Sequence, residues 1–302
     1  MNKKIAVIVV GTNNVSLLIA KKDGLNIEIL KRKSDVSALG RNMENGKLTN
    51  AAIRRTKSVL HDNILYSKLV TDEIIVIATS CSRDAKNIIQ LSNWLKKKHN
   101  LKYNVISGKK EAYLNGLANL NEFSADNCIL LFDVGGGSTE FTVIKNKEIT
   151  STNSIELGVR RLDTSFKYDF NNKINWTKNM LQKFKIQKND NYRLIMIGDI
   201  AQNIAALVND YNGATMEVMN KCKVKKAILQ KLLVNFRKYP ATLVKDKLNS
   251  GQIRSEIVST GLMIVIEILT HFKVKECTIS EHGISSGILY QSDKELKKML
   301  KN

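Results

Sequence analysis

Asp133-Val134-Gly135-Gly136-Gly137-Ser138-Thr139-Glu140 is the stretch that decides the fold. The apolar run Ile129–Phe132 leads into it and Glu140–Ile144 leads out, so it reads as strand, glycine turn and returning strand, with Glu148–Ile155 as a further strand. The chain opens in the same way: Ile5–Val10, a turn at Gly11-Thr12-Asn13-Asn14, then Val15–Ala20 and a third strand over Leu25–Leu30. Gly11 and Gly135 lie about 124 residues apart, so the pattern is a long internal repeat. A repeated ββαβα unit predicts an α/β protein of two lobes facing each other across a cleft, each offering the backbone N–H groups of its glycine hairpin to phosphate.

Outward from the two hairpins, the pattern alternates helix and strand. Thr49 caps a helix over 51–60, Ile74–Ala78 is a buried strand, Cys81–Lys98 reads as one long helix, and Gly108–Leu117 as another. The segments 193–197, 201–208, 226–239, 255–270 and 276–279 continue the alternation. The expected division is 1–124 for the first lobe and 125–302 for the second, with the last helix able to pack back on the first lobe.

Composition narrows the functional classes. Hydrophobic residues at 43% and charged residues at 25% of 302 describe a chain able to bury a large core. Forty-eight Lys and Arg against 28 Asp and Glu leave +20, which favours polyanionic partners, although the lysines are widely scattered and a lysine-rich proteome accounts for the excess equally well. Cys81, Cys128, Cys222 and Cys277 show no CxxC pairing, so neither a disulfide framework nor a zinc site is expected. No apolar run is long enough for a membrane span or a signal segment, and a cytoplasmic location is the expectation.

Chemistry attaches first to the second turn. Asp133 closes a buried strand and Glu140 opens the next, and these hard oxygen donors suit Mg²⁺ directly or through water. The plain alternative is a tight hairpin capped by polar residues. Glu111 sits in the first turn of a predicted helix beside Lys110, where the helix dipole favours its ionised form; taken alone it is equally an ordinary glutamate at a helix start.

Several strings together resemble the exopolyphosphatase / guanosine pentaphosphate phosphohydrolase (Ppx/GppA) family. In family order they are Gly11-Thr12-Asn13, Leu39-Gly40 with Leu48-Thr49, Ala78-Thr79-Ser80-Cys81-Ser82-Arg83-Asp84-Ala85-Lys86-Asn87, Ile106-Ser107-Gly108-Lys109-Lys110-Glu111-Ala112, the Asp133 turn, and Leu157-Gly158-Val159-Arg160-Arg161-Leu162, followed by Arg254, Gly261, Gly283 and Gly287. The resemblance covers Ile5 to Leu289 and implies two actin/Hsp70-like (ribonuclease H-like, ASKHA) lobes. It implies Glu111 as the carboxylate that readies the attacking water, Arg83 as a phosphate-binding arginine, Gly11, Thr12 and Asn13 as a first phosphate loop, and Gly135, Gly136, Gly137, Ser138 and Thr139 as a second. Asp133 and Glu140 would hold Mg²⁺ or Mn²⁺. The implied ligand is inorganic polyphosphate or a guanosine polyphosphate nucleotide such as pppGpp; nucleic acid and membrane are not expected, and a homodimer is compatible with the pattern.

The departures define the alternatives. Val9 stands where the family has an aspartate, Asn14 where it has a serine, Gly198-Asp199-Ile200-Ala201-Gln202 departs from the third glycine loop, and Ser285-Ser286 replace a common Arg-Glu. Loss of a metal-site carboxylate lowers Mg²⁺ affinity. Three readings follow: an active phosphohydrolase, an impaired relative that binds such phosphates as a sensor or partner protein, and an ATP-using kinase-like enzyme, against which the Gly198 loop and the Glu111 string argue.

Overall fold

The computed structural model describes residues 3–184, 186, 191–209, 220–238 and 255–300. Arg254 lies outside them. The chain forms two compact units, residues 1–118 with 284–302, and residues 119–283.

In the first unit the order is β1 Lys3–Val10, β2 Asn14–Asp23, β3 Asn26–Val36, α1 Asn50–Lys68, β4 Ile74–Ala78, α2 Ser80–Asp84, α3 Ile89–His99, β5 Tyr103–Val105 and α4 Gly108–Asn119. The sheet runs β3-β2-β1-β4-β5. β1 is antiparallel to β2 and parallel to β4, and β4 is parallel to β5. The β-branched run of β1 is buried on both faces, as a central strand between helical layers must be. Ala6, Ile8 and Val10 join a core with Leu60, Ile64, Leu91 and Leu95 on one side, while Ile5, Val7 and Val9 join Leu114, Ile288 and Leu296 on the other.

The second unit repeats this plan with β6 Cys128–Val134, β7 Thr139–Lys145, β8 Glu148–Ile155, α5 Val159–Phe166, α6 Phe170–Gln182, β9 Arg193–Ile197, α7 Gly198–Asn209, β10 Lys223–Lys225, α8 Lys226–Lys238, α9 Ser255–His271 and β11 Glu276–Ile279. Its sheet runs β10-β11-β9-β6-β7-β8. Read from β8 to β11 it has the order of the first sheet, with β10 added at the edge. Both units are therefore α/β lobes of the actin/Hsp70-like, ribonuclease H-like fold. α10 Ile284–Leu289 and α11 Asp293–Leu300 then return to the first unit.

The observed boundary differs from 124/125. Asn119 is tied into the second unit, its Nδ2 donating to His282 O at 2.8 Å and its Oδ1 accepting from Ser280 Oγ at 2.7 Å. Residues 284–302 are tied into the first. Buried Lys22 donates to Leu289 O at 2.7 Å and so caps the end of α10; burial pushes its amine below the usual lysine pKa, and Asp293 partly offsets this.

The single helix expected over 81–98 is broken. Ala85 is extended, and the interruption is held from a distance: Asn87 Oδ1 accepts from Leu48 N at 2.9 Å, Asn87 Nδ2 donates to Leu48 O at 3.0 Å, and Lys86 N donates to Gly46 O at 2.8 Å. The last bond satisfies the Lys86 N–H at the break, and the two from the Asn87 side chain anchor the break to the backbone of Leu48. Thr49 does cap α1, its Oγ1 accepting from Ala52 N at 3.2 Å. Among the described residues no helix is long and apolar enough to cross a membrane.

α5 and α6 had no counterpart in the reading of the sequence, and they hold a buried charge cluster. Lys173 Nζ lies 2.7 Å from Asp163 Oδ1, which also accepts from Thr260 Oγ1 of α9 at 2.7 Å. Removing one partner of a buried ion pair strands the other charge. Lys173→Met is expected to lower stability in urea denaturation by about 3 kcal/mol, and the double change Lys173→Met/Asp163→Leu to recover most of it.

Candidate active site

The two glycine hairpins share one hydrogen bond. Gly11 N donates to Asn14 O at 2.8 Å, and Gly135 N donates to Ser138 O at 2.9 Å. Their registers match as well: Val9 is opposite Ser16 and Val10 opposite Val15, while Asp133 is opposite Glu140 and Val134 opposite Thr139.

In the second unit the turn is pinned from behind by the start of α5. Val159 N donates to Gly135 O at 3.0 Å, Arg160 N to Gly136 O at 2.8 Å, and Arg161 Nε to Gly137 O at 2.7 Å. In a trans peptide the C=O and the following N–H point in opposite directions. The N–H groups of Gly136, Gly137 and Ser138 are therefore turned away from α5 together, a concavity of donors suited to an anion. Gly158 lets the α5 segment approach this closely, since a Cβ there would lie 2.4 Å from Gly137 C. Glu156 holds Arg161 in an ion pair. The Leu157–Leu162 string thus has a structural role that its sequence did not disclose.

The first turn is pinned by the segment after β3. Ser37 N and Ala38 N both donate to Asn13 O, at 3.0 and 2.7 Å, and Gly40 N donates to Thr12 O at 2.9 Å. By the same peptide geometry the N–H groups of Asn13 and Asn14 point away from that segment.

Glu111 and Arg83 are brought together in the first unit. Ser107 caps α4, its Oγ accepting from Lys110 N at 3.2 Å, which puts Glu111 in the first turn. Glu111 is buried, and Arg83 Nη1 lies 2.7 Å from its Oε2. The same Nη1 donates to Ile106 O at 3.0 Å. A buried carboxylate needs such a partner, and a helix N-terminus adds a second favourable field. α2, which carries Arg83, is fixed by a buried hydrogen bond between Ser82 Oγ and Tyr103 Oη at 2.9 Å.

Asp133 and Glu140 lie across from one another on adjacent strands, so they share a sheet face. Glu140 is buried, and its Oε1 accepts from Ser138 Oγ at 2.6 Å and Ser154 Oγ at 2.7 Å. Ser154 was not legible as a site residue; nothing local marks it. Asp133 is partly exposed and packs on the start of α7, where a Cβ on Gly198 would fall 2.1 Å from its Oδ1. Gly198 also has φ +84°, so glycine is required there on two counts. Among the described residues no three His, Cys, Asp or Glu side chains gather as a metal-binding group. Asp133 and Glu140 are hard oxygen donors of the kind that suits Mg²⁺, but two carboxylates do not complete a coordination shell, so most ligands of such an ion would have to come from elsewhere. Val9, at the place equivalent to Asp133, is buried in apolar surroundings and offers no ligand.

A separate concavity in the second unit is lined by Asp126, Arg193, Lys223, Glu276 and Thr278. It lies at the opposite end of β6 and β9 from the glycine turn, and its charges are paired: Arg193 with Asp126 at 2.6 Å and Lys223 with Glu276 at 3.5 Å.

Residues 18–296 match the model of the Ppx/GppA phosphatase family. The chain is 29% identical to a bifunctional 3-dehydroquinate synthase/phosphatase of Fusobacterium nucleatum, over 93% of this chain and 45% of that protein. It is 25% identical to a guanosine-5'-triphosphate,3'-diphosphate pyrophosphatase of Pseudoalteromonas translucida, over 96% of this chain and 59% of that one. The chain spans about half the length of the curated relatives it matches. Among solved structures, an exopolyphosphatase of Cytophaga hutchinsonii superposes with a TM-score of 0.82 at 21% identity, covering 98% of each chain. The Aquifex aeolicus Ppx/GppA family member gives 0.78 at 21% identity, covering 99% of each. At these identities the structural likeness is one of fold. With the family match across most of its length, the chain belongs to the Ppx/GppA phosphatase family.

Proposed function

We propose that the protein hydrolyses the terminal phosphoanhydride of inorganic polyphosphate or of pppGpp, releasing phosphate. The observation that carries this reading is the pairing of Arg83, partly exposed on α2, with the buried Glu111 at the start of α4, in a chain of a phosphatase family. Two relatives bear the names exopolyphosphatase 1 and guanosine-5'-triphosphate,3'-diphosphate pyrophosphatase, and both substrates present the same terminal bond.

The roles follow from the groups. Arg83 has a planar fork of N–H donors, so a phosphate held by it would lie beside the Glu111 carboxylate. Glu111 orients a water and takes up its proton as the new O–P bond forms and the bond from that phosphorus to the bridging oxygen breaks, so that inorganic phosphate and the polyphosphate or nucleotide shortened by one phosphate leave as anions. In the second unit the amides of Gly136, Gly137 and Ser138 are the donors proposed for phosphate oxygens, and Mg²⁺ or Mn²⁺ held by Asp133 with Glu140 would neutralise charge on phosphate bound there. In the first unit the proposed donors are the amides of Asn13 and Asn14. Phosphoryl transfer depends mainly on such positioning and neutralisation.

A second reading has its own observation. Val9 removes one carboxylate, which favours a protein that binds these phosphates as a sensor with little turnover. Phosphate release decides between them. Glu111→Gln is expected to reduce kcat by about 10²- to 10⁴-fold; it also lowers the melting temperature, because Arg83 loses its partner charge, so the rate is compared well below the variant's melt. Arg83→Lys is expected to raise KM about tenfold, because an ammonium cannot reproduce the fork. Val9→Asp is expected to lower the Mg²⁺ concentration giving half-maximal rate, at a cost in stability from burying a carboxylate. Absence of release from polyphosphate and pppGpp across Mg²⁺ and Mn²⁺ would leave the sensor reading.

A further inference from the structure

The positive charge of the first unit is concentrated. Residues 94–113 and 291–300 together hold nine lysines against three acids, Glu111, Asp293 and Glu295, and Glu111 is already matched by Arg83. Lys96, Lys97 and Lys98 are exposed in the last turn of α3, and Lys102 follows before the edge strand β5. Lys294, Lys297 and Lys298 are exposed on α11, far away in sequence.

The fold joins these groups. Lys102 Nζ donates to Lys298 O at 3.4 Å, and Asn104 Nδ2 donates to Met299 O at 3.0 Å, so the β5 edge is bound to the end of α11. Glu295 pairs with Lys298 at 3.0 Å, which holds its carboxyl below the usual range, and Lys110 and Lys294 act in the same direction. Leu114 of α4 and Leu296 of α11 share one core cluster, so the two helices cover the same face of the sheet. Lysines near the C-terminal ends of α3 and α11 complement the helix dipoles. Lys102, Lys109, Lys110 and Lys294 lie outside any last turn and have no such explanation. The lysines of α3 and α11 lie on opposite faces of the sheet and are linked around the β5 edge through Lys102, and α11 carries the line of exposed lysines on by about 12 Å.

We propose that this lysine surface holds the distal part of an extended polyphosphate chain whose terminal phosphate lies at Glu111, which makes long polyphosphate the preferred substrate. The proposal rests on the phosphohydrolase reading above. A guanosine nucleotide is too compact to engage both ends of the surface. Single-stranded nucleic acid is held by stacking on aromatic side chains as well as by charge. Tyr113 is the exposed aromatic of this stretch, and Lys110 Nζ already lies 5.0 Å from its ring centroid. Lysines are compact point charges, matched to a backbone of phosphates without bases.

The test is the variant Lys97→Gln/Lys98→Gln/Lys297→Gln/Lys298→Gln, whose four positions are exposed, with its thermal melt compared with that of the parent. KM for long-chain polyphosphate is expected to rise about tenfold, with kcat and the kinetics on tripolyphosphate and pppGpp retained. The slope of log affinity against log salt is expected to flatten by about 0.7 for each lysine that no longer neutralises a phosphate. An unchanged KM for the long chain, or an equal rise for tripolyphosphate, overturns the proposal. Binding of labelled long-chain polyphosphate to Glu111→Gln protein, with and without the four substitutions, decides the surface without turnover: loss supports it and retention overturns it. A parent protein that releases no phosphate but binds the long chain through these lysines would remove the hydrolase reading and keep the surface. Competition by polyuridylic acid at equal charge concentration would assign the surface to nucleic acid instead; weak competition supports polyphosphate.

Discussion

A carboxylate removed from water needs a cation or it takes up a proton, and the first unit is organised around meeting that requirement for Glu111. Arg83 supplies the charge from α2, which is only five residues long. That helix would be poorly fixed by itself, so Ser82 is tied to Tyr103, Arg83 is tied to Ile106 O, and the chain beyond Ala85 is tied to Leu48 through Asn87. Each of these bonds restricts the guanidinium. The break after Ala85, held by Asn87 on Leu48, thus leaves α2 as a short separate support for the guanidinium before the helix resumes at Ile89.

The second constraint is the closing hydrogen bond common to both glycine turns. Equal geometry shows how far the repeat persists where side chains have diverged. At the equivalent positions, Val9 has joined an apolar core, whereas Asp133 has kept a polar setting against Gly198. The first hairpin retains its donors but not its carboxylate. In the second, Ser138 and Ser154 hold Glu140 in place, and α5 aims the amides. The two turns are thus specialised in different directions on one backbone plan.

Much of this was legible in the order of residues, for a local reason. Strand, glycine turn and strand are encoded within 16 positions in each copy, 5–20 and 129–144, and both hairpins follow from apolar runs ended by a glycine turn. Thr49 as a cap is equally local. The broken helix was not legible, because the group that breaks it is a partner 39 residues away in sequence. In α6 the apolar pattern is interrupted by Lys173, a residue normally read as exposed that is buried here against Asp163 of α5. At the site, Glu111 and Arg83 could be paired with chemistry only through family resemblance. Their contact spans 28 positions, and neither residue carries a local mark. Ser154 and the backing provided by Gly158 needed the three-dimensional register.

The first unit is discontinuous: residues 119–283 intervene before α10 and α11 return to cover Val7, Val9 and Leu114. During synthesis, β1 to β5 leave the ribosome long before the segment that seals one face of their sheet. Until then Lys22 has no Leu289 carbonyl to bond, and the apolar side of β1 stays open to water. A released chain that ends at residue 283 should therefore carry a finished second lobe and an unfinished first one, the state in which chaperone engagement would matter most.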